Sequence, residues 1–253
     1  MKLVVAHLYP ELMGIYGDRG NVLALARRAS WHGHEVEVRY IARGERPGLA
    51  SVDVLVLGGG QDKEQVVVCE DLQGPLGREL RAAIDDGLVV LAICGGYQLL
   101  GHYYQPHGGD KLPGLGVFDA YTVAGPERFI GNVVISSALL AQTGSPGRSA
   151  TEAAPTIVGF ENHSGLTHLG PGCQPLGYVL KGKGNNGQDG TEGAVALNCF
   201  GTYLHGPVLP KNPSFTDHLL ALALDRRYGS APLGSLDDRL ELAAHEAAVR
   251  LPR

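Results

Sequence analysis

Long hydrophobic runs and strong charge of either sign are both missing from this sequence. No stretch approaches the roughly 18 uninterrupted apolar residues of a membrane-spanning helix. The apolar run within residues 1–8 is too short for the core of a signal peptide, and no small-residue cleavage site follows it. Lysine and arginine total 21 against 26 aspartates and glutamates, which gives a net charge of −5 without a long run of either sign. We therefore expect no membrane insertion, no nucleic-acid partner and a cytoplasmic location.

Cysteine is scarce, and the four cysteines lack the spacing of a metal site or a disulfide framework. Cys69, Cys94, Cys173 and Cys199 form no C-x-x-C pair and no Cys/His cluster at zinc spacing. A phosphate-binding loop of the form G-x-x-x-x-G-K-[ST] is also missing. We therefore expect no metal, no other cofactor and no use of ATP by this chain alone. Only 19% of the residues are charged, which favours a surface partly covered by another subunit.

The sequence does contain a regular alternation of buried strands and helices. Its 253 residues, 44% of them hydrophobic, are enough for a substantial core. The predicted strands are at 3–8, 35–41, 52–57 and 88–93, and the predicted helices are at 22–29 and 76–86. Strands that alternate with helices form right-handed βαβ units. The expected fold class is therefore α/β, an open and mostly parallel twisted sheet with helices on both faces.

The second half of the chain changes to short strands without long helices between them. Residues 117–123 and 127–135 predict a hairpin-like antiparallel addition to the sheet. The elements predicted after it are a surface loop, a strand, a β-turn or ligand loop, a strand and a helix, at 136–155, 156–163, 182–193, 194–199 and 214–228. An amphipathic helix over 235–250 is expected to lie against the body or against a partner. We therefore expect one domain over residues 1–230 and a helical tail over 231–253.

A cysteine at the end of the fourth strand is the strongest candidate for a reactive group. The apolar run 88–93 stops at Cys94, which Gly95 and Gly96 follow before a helical pattern begins. Such a sharp turn exposes a nucleophile above the sheet and directs backbone N–H groups at its target. The positive end of the helix is expected to favour the thiolate. The alternative is a small buried hydrophobic residue, but a core cysteine needs no glycines behind it.

A cysteine nucleophile needs a base that is distant in sequence and close in the fold. Among the ten histidines, His205 is the best candidate because it follows a late strand, and His163 is the second. Either could instead be a hydrogen-bonded structural histidine. Gly58, Gly59 and Gly60 end the third strand, where their backbone N–H groups could approach a ligand closely or simply form a turn.

These motifs resemble a known family of enzymes. Residues 92–98 (AICGGYQ) are similar to the nucleophile turn of class I glutamine amidotransferases of the cobyric-acid-synthase-like branch, and 203–206 (YLHG) to the catalytic histidine motif of that branch. Within the branch, the likeness is closest to the glutaminase subunits of lipid II isoglutaminyl synthases. Four further stretches carry it, at 16–21 (YGDRGN), 127–132 (ERFIGN), 159–163 (GFENH) and 184–190 (GNNGQDG). The resemblance covers about residues 1–228.

The resemblance implies a flavodoxin-like three-layer fold and the hydrolysis of L-glutamine through a cysteine thioester. Cys94 would be the nucleophile and His205 the base, while Gly95 and either Gly59 or Gly60 would donate backbone N–H groups to the oxyanion. Arg128 would hold the α-carboxylate of glutamine, since a guanidinium matches a carboxylate, and a surface arginine is the alternative. Gln98 is expected to line the binding pocket.

The resemblance also implies a partner. Ammonia from glutamine would pass to a Mur-ligase-like, ATP-dependent subunit in a heterodimer, which converts the D-glutamate of the lipid II stem peptide to D-isoglutamine. The sequence departs from the family at Ala92, where glycine is common, and at Pro207, where class I enzymes place a glutamate. A histidine without an orienting carboxylate is a poorer base, so we expect the partner subunit to supply the acid.

Three other functions remain open at this point. The first is a glutaminase for a cobyrinic-acid-type acceptor, which usually carries a fused ATP-binding domain. The second is a cysteine peptidase or chaperone of similar fold, which would release no ammonia from glutamine. The third is a binding module in which Cys94 is inert, and slow alkylation of that cysteine would favour it.

Overall fold

Two β-sheets form the framework of the molecule. The computed structural model describes residues 1–46, 48–141, 155–229 and 232–252. The strands of the first sheet are β1 (Lys2–Leu8), β2 (Glu35–Ile41), β3 (Val54–Leu57), β4 (Val89–Ile93), β11 (Ala194–Ala196) and β12 (Cys199–Thr202). Their order is β11-β12-β4-β3-β1-β2, and every neighbouring pair is parallel except β11 with β12. The four apolar strands predicted in the first half of the chain are all present.

Helices cover both faces of this parallel sheet. They are α1 (Arg19–Trp31), α2 (Asp62–Leu72), α3 (Pro75–Asp85), α4 (Gly95–Leu100) and α5 (Pro213–Tyr228). Helices α1 and α5 pack together over β1–β4, while α2, α3 and α4 form a second group. Right-handed crossovers to the two sides of β1 place these two groups on opposite faces. The predicted α/β class is therefore confirmed, with strand β4 buried along its whole length.

The second sheet is mostly antiparallel and corrects one prediction. Its strands are β5 (Tyr103–Gln105), β6 (Leu112–Pro113), β7 (Ala120–Ser136), β8 (Thr156–Leu169), β9 (Gly177–Lys181) and β10 (Thr191–Glu192). They lie in the order β10-β9-β7-β5-β6, and β8 pairs with β7. The prediction that residues 117–135 form a hairpin that extends the main sheet was wrong. Gly125 and Pro126 form no turn between two strands; they lie at a register shift within the single long strand β7, where a missing ladder N–H is tolerated.

Two further predictions need local corrections. The strand expected over 194–199 is a tight hairpin of β11 and β12, and Leu197 in its turn has a φ of 53°. Helix α2 was not predicted, because its consecutive valines are weak helix formers. Buried Val68 and Leu72 hold it against the rest of the core instead. The surface loop predicted at 136–155 lies largely outside the described residues, which resume at 155.

The C-terminal segment lies along the second sheet. Helix α6 (Arg239–Arg250) begins later than the predicted 235, packs against β8, and has no buried residue. Lys181 Nζ donates a hydrogen bond to the Leu251 carbonyl at 2.8 Å, and Asn132 Nδ2 donates to the Pro252 carbonyl at 2.7 Å. The predicted domain boundary at 230/231 falls outside the described residues. Within the described ranges, no helix is long and apolar enough to cross a membrane.

Candidate active site

Cys94 occupies a strained turn between β4 and α4. Its backbone has φ 51° and ψ −107°, a conformation that a residue with a side chain rarely adopts. The Cys94 N–H donates to the Thr202 carbonyl at 2.9 Å, and the Gly96 N–H donates to the Gly58 carbonyl at 3.1 Å. A β-carbon at Gly96 would lie 2.6 Å from the Leu57 carbonyl oxygen, so the turn needs glycine there. The predicted strand, turn and helix are thus present.

His205 faces Cys94 across Gly59. A β-carbon built on Gly59 would lie 3.2 Å from His205 Cε1 and 3.3 Å from the Cys94 β-carbon. The ring of Tyr16 also lies here, with its centroid 4.7 Å from that of His205. Backbone hydrogen bonds in both directions between His205 and Phe160 hold the histidine against the second sheet. The fold therefore brings the best predicted nucleophile and base to the same site.

Cys94 and His205, the candidate nucleophile and base, are both neutral in the free chain. Burial raises the pKa of the Cys94 thiol to about 12, with a smaller contribution from the Asp18 carboxylate, and this outweighs the Gly95 N–H and the Arg128 guanidinium. Burial also lowers the pKa of His205 to about 4. The expectation that the helix end favours a thiolate was wrong for this state, because loss of water around the sulfur has the larger effect. A nucleophilic role for Cys94 would therefore require the loss of its proton.

No carboxylate in the described part of the chain orients the His205 ring. Both ring nitrogens are buried and have no hydrogen-bond partner among the described residues. Pro207 stands two residues later, and its ring packs against the α-carbon of Gly20 in the first turn of α1. A proline cannot replace the carboxylate that holds a catalytic imidazole in other triads. The arrangement observed here is a dyad of Cys94 and His205.

The backbone N–H groups of Gly59, Gly60 and Gly95 lie around the Cys94 turn, and the Gly59 N–H already donates a hydrogen bond. The Gly59 N–H donates to Asp18 Oδ2 at 2.8 Å, and burial raises the pKa of Asp18 to about 6. The neighbouring Gly60 nitrogen lies beside the turn, since a β-carbon on Gly95 would be 3.1 Å from it. Of the two glycines that the resemblance left open as oxyanion donors, Gly60 is therefore the better placed.

A cavity of about 420 Å³ opens beside Cys94. Five residues singled out from the sequence line it, namely Gly60, Cys94, Gln98, Arg128 and His163. Residues that sequence reasoning gave no role also line it, including Tyr16, Asp62, Gln65, Tyr104 and Asn162. Arg128 is exposed on β7, and its Nη1 donates to Asn162 Oδ1 at 2.8 Å. A charged donor therefore stands at the mouth of a cavity whose floor carries the thiol.

The wall of the cavity is a hydrogen-bonded aromatic cluster. Gln98 Nε2 donates to the Tyr203 hydroxyl at 3.1 Å, and that hydroxyl is hydrogen-bonded to Thr167 Oγ1 at 2.7 Å. The ring of His163 stacks on Tyr203 with centroids 3.6 Å apart and planes only 4° from parallel. His163, the second candidate base, thus lies in the wall, and its Nδ1 is 2.8 Å from the Gly165 carbonyl.

The glycine-rich segment 182–193 supports the site from outside the cavity. None of its residues lines the cavity. The Tyr97 hydroxyl, close to the nucleophile turn, donates to Asn185 Oδ1 at 3.2 Å, and Asn186 Nδ2 donates to the Thr167 carbonyl at 3.0 Å. Of the two interpretations of this segment, the structure favours a turn over a ligand loop.

Neither a disulfide nor a cluster of metal-binding side chains occurs among the described residues. The four cysteines are free and buried. Across residues 1–46, 48–141, 155–229 and 232–252, no three His, Cys, Asp or Glu side chains are grouped so that they could hold a metal ion.

Comparison with known proteins adds an independent line of support. The family model described as a CobB/CobQ-like glutamine amidotransferase domain matches residues 4–213. The lipid II isoglutaminyl synthase (glutamine-hydrolyzing) subunit GatD of Staphylococcus aureus is 37% identical over 98% of this chain and 95% of its own length. The subunit of the same name from Streptococcus pneumoniae is 39% identical over 90% of this chain and 83% of its own length.

Solved structures share the fold at much lower identity. The structure of PurLQS from Thermotoga maritima matches with a TM-score of 0.57 at 16% identity, covering 81% of this chain and 88% of that one. At this identity the likeness bears on the fold alone.

Proposed function

The chain belongs to the CobB/CobQ-like glutamine amidotransferases, and on that premise we propose that it is the glutaminase subunit of a lipid II isoglutaminyl synthase. In this proposal it hydrolyses L-glutamine and supplies ammonia to a Mur-ligase-like, ATP-dependent partner in a heterodimer. The partner amidates the D-glutamate of the lipid II stem peptide to D-isoglutamine. The observation that carries the proposal is the Cys94–His205 pair facing each other across Gly59 in a chain aligned with such subunits over nearly its whole length.

The chemistry begins with the neutral thiol. The Cys94 proton passes to the His205 imidazole as the sulfur bonds to the γ-carboxamide carbon of glutamine. The carbon–nitrogen bond then breaks, and the imidazolium gives its proton to the leaving nitrogen, which departs as ammonia. Water attacks the γ-glutamyl thioester, His205 takes a proton from it, and the carbon–sulfur bond breaks. The proton returns to the sulfur as glutamate leaves.

Negative charge collects on the carboxamide oxygen in both steps. The Gly95 and Gly60 N–H groups are the proposed donors to this oxygen, because the Gly59 N–H is already bonded to Asp18. Each fixed donor of this kind typically contributes about 3 kcal/mol to the lowering of the barrier. Arg128 is proposed to bind the α-carboxylate of glutamine at the cavity mouth, and Gln98 to line the binding pocket.

Because no acid orients His205, we expect the chain without its partner to hydrolyse glutamine slowly. Both nitrogens of His205 lack a partner among the described residues, and burial lowers the pKa of this imidazole to about 4. An imidazolium formed during the reaction would therefore be poorly stabilised. We propose that a carboxylate of the synthetase subunit approaches His205 when the heterodimer forms. Glutaminase activity of the chain alone that equals that of the complex would contradict this step.

The family assignment weighs against two of the alternatives. A cysteine peptidase or chaperone, and a binding module with an inert cysteine, lie outside a family of glutamine amidotransferases. A cobyrinic-acid-type acceptor lies within the family, and we rank it second because the two full-length relatives act in lipid II amidation by name. A neighbouring gene for a Mur-ligase-like protein would favour the first acceptor. We expect the reaction in the cytoplasm, where ATP is available to the partner.

The experiment is to purify the chain with its candidate synthetase and to measure glutamate and ammonia released from glutamine. We expect Cys94→Ala and His205→Ala to abolish turnover while the proteins remain folded by circular dichroism. Cys173→Ala is the matched control, since this buried cysteine lies outside the cavity, and it should keep the wild-type rate. Full activity of Cys94→Ala, or no ammonia from the wild-type complex, would overturn the proposal.

A further inference from the structure

His163 has a hydrogen-bond acceptor that nothing in the described chain satisfies. The side chain is 2% exposed and lines the cavity. Its Nδ1 lies 2.8 Å from the Gly165 carbonyl oxygen, which can only accept, so Nδ1 carries the proton. Nε2 then holds a lone pair, and it is buried without a partner among the described residues. A buried acceptor without a donor raises the free energy of the ligand-free chain, and a ligand that donates a hydrogen bond to it would remove that cost.

The ring is fixed in place and stays neutral. It stacks on Tyr203 and meets the edge of Phe129, whose centroid is 5.5 Å away. Burial, with smaller contributions from the neighbouring His205 and Arg128, lowers the pKa of His163 to about 3 despite the hydrogen bond to the Gly165 carbonyl. The imidazole is therefore neutral near neutral pH and presents one oriented acceptor. Its Nδ1 is held by the Gly165 carbonyl, so among the described residues Nε2 is the ring nitrogen left for a ligand.

A second unsatisfied acceptor lies on the same cluster. Gln98 donates its amide nitrogen to the Tyr203 hydroxyl, which leaves Oε1 directed away from that bond, buried and without a partner in the described chain. Gln98 and His163 thus both contact Tyr203, and both line the cavity. Two oriented acceptors in one wall are complementary to a group that carries several N–H donors.

Free glutamine carries such a group next to its carboxylate. Its α-ammonium has three N–H donors and a positive charge, whereas its α-carboxylate only accepts and suits the Arg128 guanidinium at the same cavity. Arg128 is near enough to His163 to influence its protonation. Arg128, a donor for the α-carboxylate, and the acceptors His163 and Gln98 therefore line the same cavity.

We propose that His163 Nε2, together with Gln98 Oε1, accepts hydrogen bonds from the α-ammonium of the substrate, which makes His163 a specificity-determining residue. This inference rests on the proposed glutaminase function. It explains how the site distinguishes free glutamine from carboxamides that lack an α-amine. The carboxamide end is left to Cys94 and the backbone donors.

The test compares glutamine with glutaramate, which keeps the carboxylate and the γ-carboxamide but lacks the α-amine. His163→Phe keeps an aromatic ring for the stack and removes the acceptor. For glutamine we expect kcat/KM of the heterodimer to fall by about 10- to 100-fold, mainly through KM, because a hydrogen bond to a charged group is lost. For glutaramate we expect less than about a two-fold change, and His163→Gln, which restores an acceptor near Nε2, should recover part of the loss.

Two controls make the outcome decisive. His168→Phe lies on the same strand outside the cavity and should leave both substrates unaffected. Calorimetric binding of glutamine to the Cys94→Ala heterodimer, with and without His163→Phe, measures recognition without turnover, so failure of this inference is separable from failure of the glutaminase function. Equal losses for both substrates, or no loss for either, would overturn the proposal.

Discussion

The two sheets contribute different parts of the site. The parallel sheet places Cys94 at the end of β4 and His205 shortly after β12, so it carries the groups proposed to exchange protons and form bonds. The antiparallel sheet places Arg128 on β7 and His163 on β8, and both are proposed to contact only the parts of the substrate that do not react. Reaction and recognition are thus separated between two frameworks that meet at the cavity. Damage to the first should lower kcat, and damage to the second should raise KM.

The largest effect is expected where the two reacting side chains meet. Gly59→Ala would place a methyl group 3.2 Å from His205 Cε1 and 3.3 Å from the Cys94 β-carbon, so the neighbours that must move are the reacting ones. We expect kcat to fall by about 100-fold with little change in KM, as for small misplacements of reacting groups. Steady-state kinetics of the heterodimer would measure this. Gly234→Ala, with open space around it, is the control, and an unchanged kcat for Gly59→Ala would contradict the separation.

A smaller effect, on KM rather than on kcat, is expected in the antiparallel sheet. Arg128→Ala removes the proposed donor to the α-carboxylate, and we expect KM for glutamine to rise by about 10- to 100-fold with a smaller change in kcat. Arg43→Ala, an exposed arginine paired with Glu70, should behave as wild type. If Arg128→Ala lowered kcat alone, this arginine would belong with the reacting groups rather than with recognition.

The smallest expected effect is on stability, at the contact that Glu192 makes between the two sheets. Glu192 on β10 accepts hydrogen bonds from the Tyr203 N–H at 2.6 Å and from Thr202 Oγ1 at 3.1 Å, and burial raises its pKa to about 8. Because the folded pKa exceeds the unfolded one, the protonated carboxyl stabilises the fold at low pH. That contribution is lost as the pH rises from about 4.5 to about 8.

Glu192→Gln removes the titration and keeps an acceptor for Tyr203. We expect its free energy of unfolding, from urea denaturation between pH 5 and 8.5, to decline with pH by about 1–3 kcal/mol less than that of the wild type. The exposed Glu11→Gln should reproduce the wild-type pH dependence. Parallel curves for Glu192→Gln and the wild type would mean that this carboxyl is already ionised in the folded chain.

Local patterns in the sequence were sufficient for the four parallel strands in the first half of the chain. The apolar runs of β1, β3 and β4 need no distant partner to be visible, and the glycines after Cys94 indicate the turn by themselves. The hairpin over 117–135 was mispredicted because the partner of β7 is β8, farther along the chain, and their pairing includes a register shift at Gly125 and Pro126. A glycine and a proline together predict a turn unless that pairing is known.

The properties of the site that were missed arise only on folding. The sulfur is a neutral thiol because burial removes its water, and no sequence pattern contains that information. His163 could be predicted only as one base among several, because its role depends on the Gly165 carbonyl that fixes its proton and on the stack with Tyr203. Burial and tautomer are consequences of contacts across strands.

The most direct test of the central claim is to label covalently the residue that forms the proposed thioester. The heterodimer is incubated with a glutamine analogue that carries an electrophile in place of the γ-carboxamide, and the modified residue is mapped by mass spectrometry. The account predicts one adduct per chain, on Cys94, absent from His205→Ala at short times and prevented by excess glutamine. An active heterodimer in which Cys94 remains unmodified would contradict it.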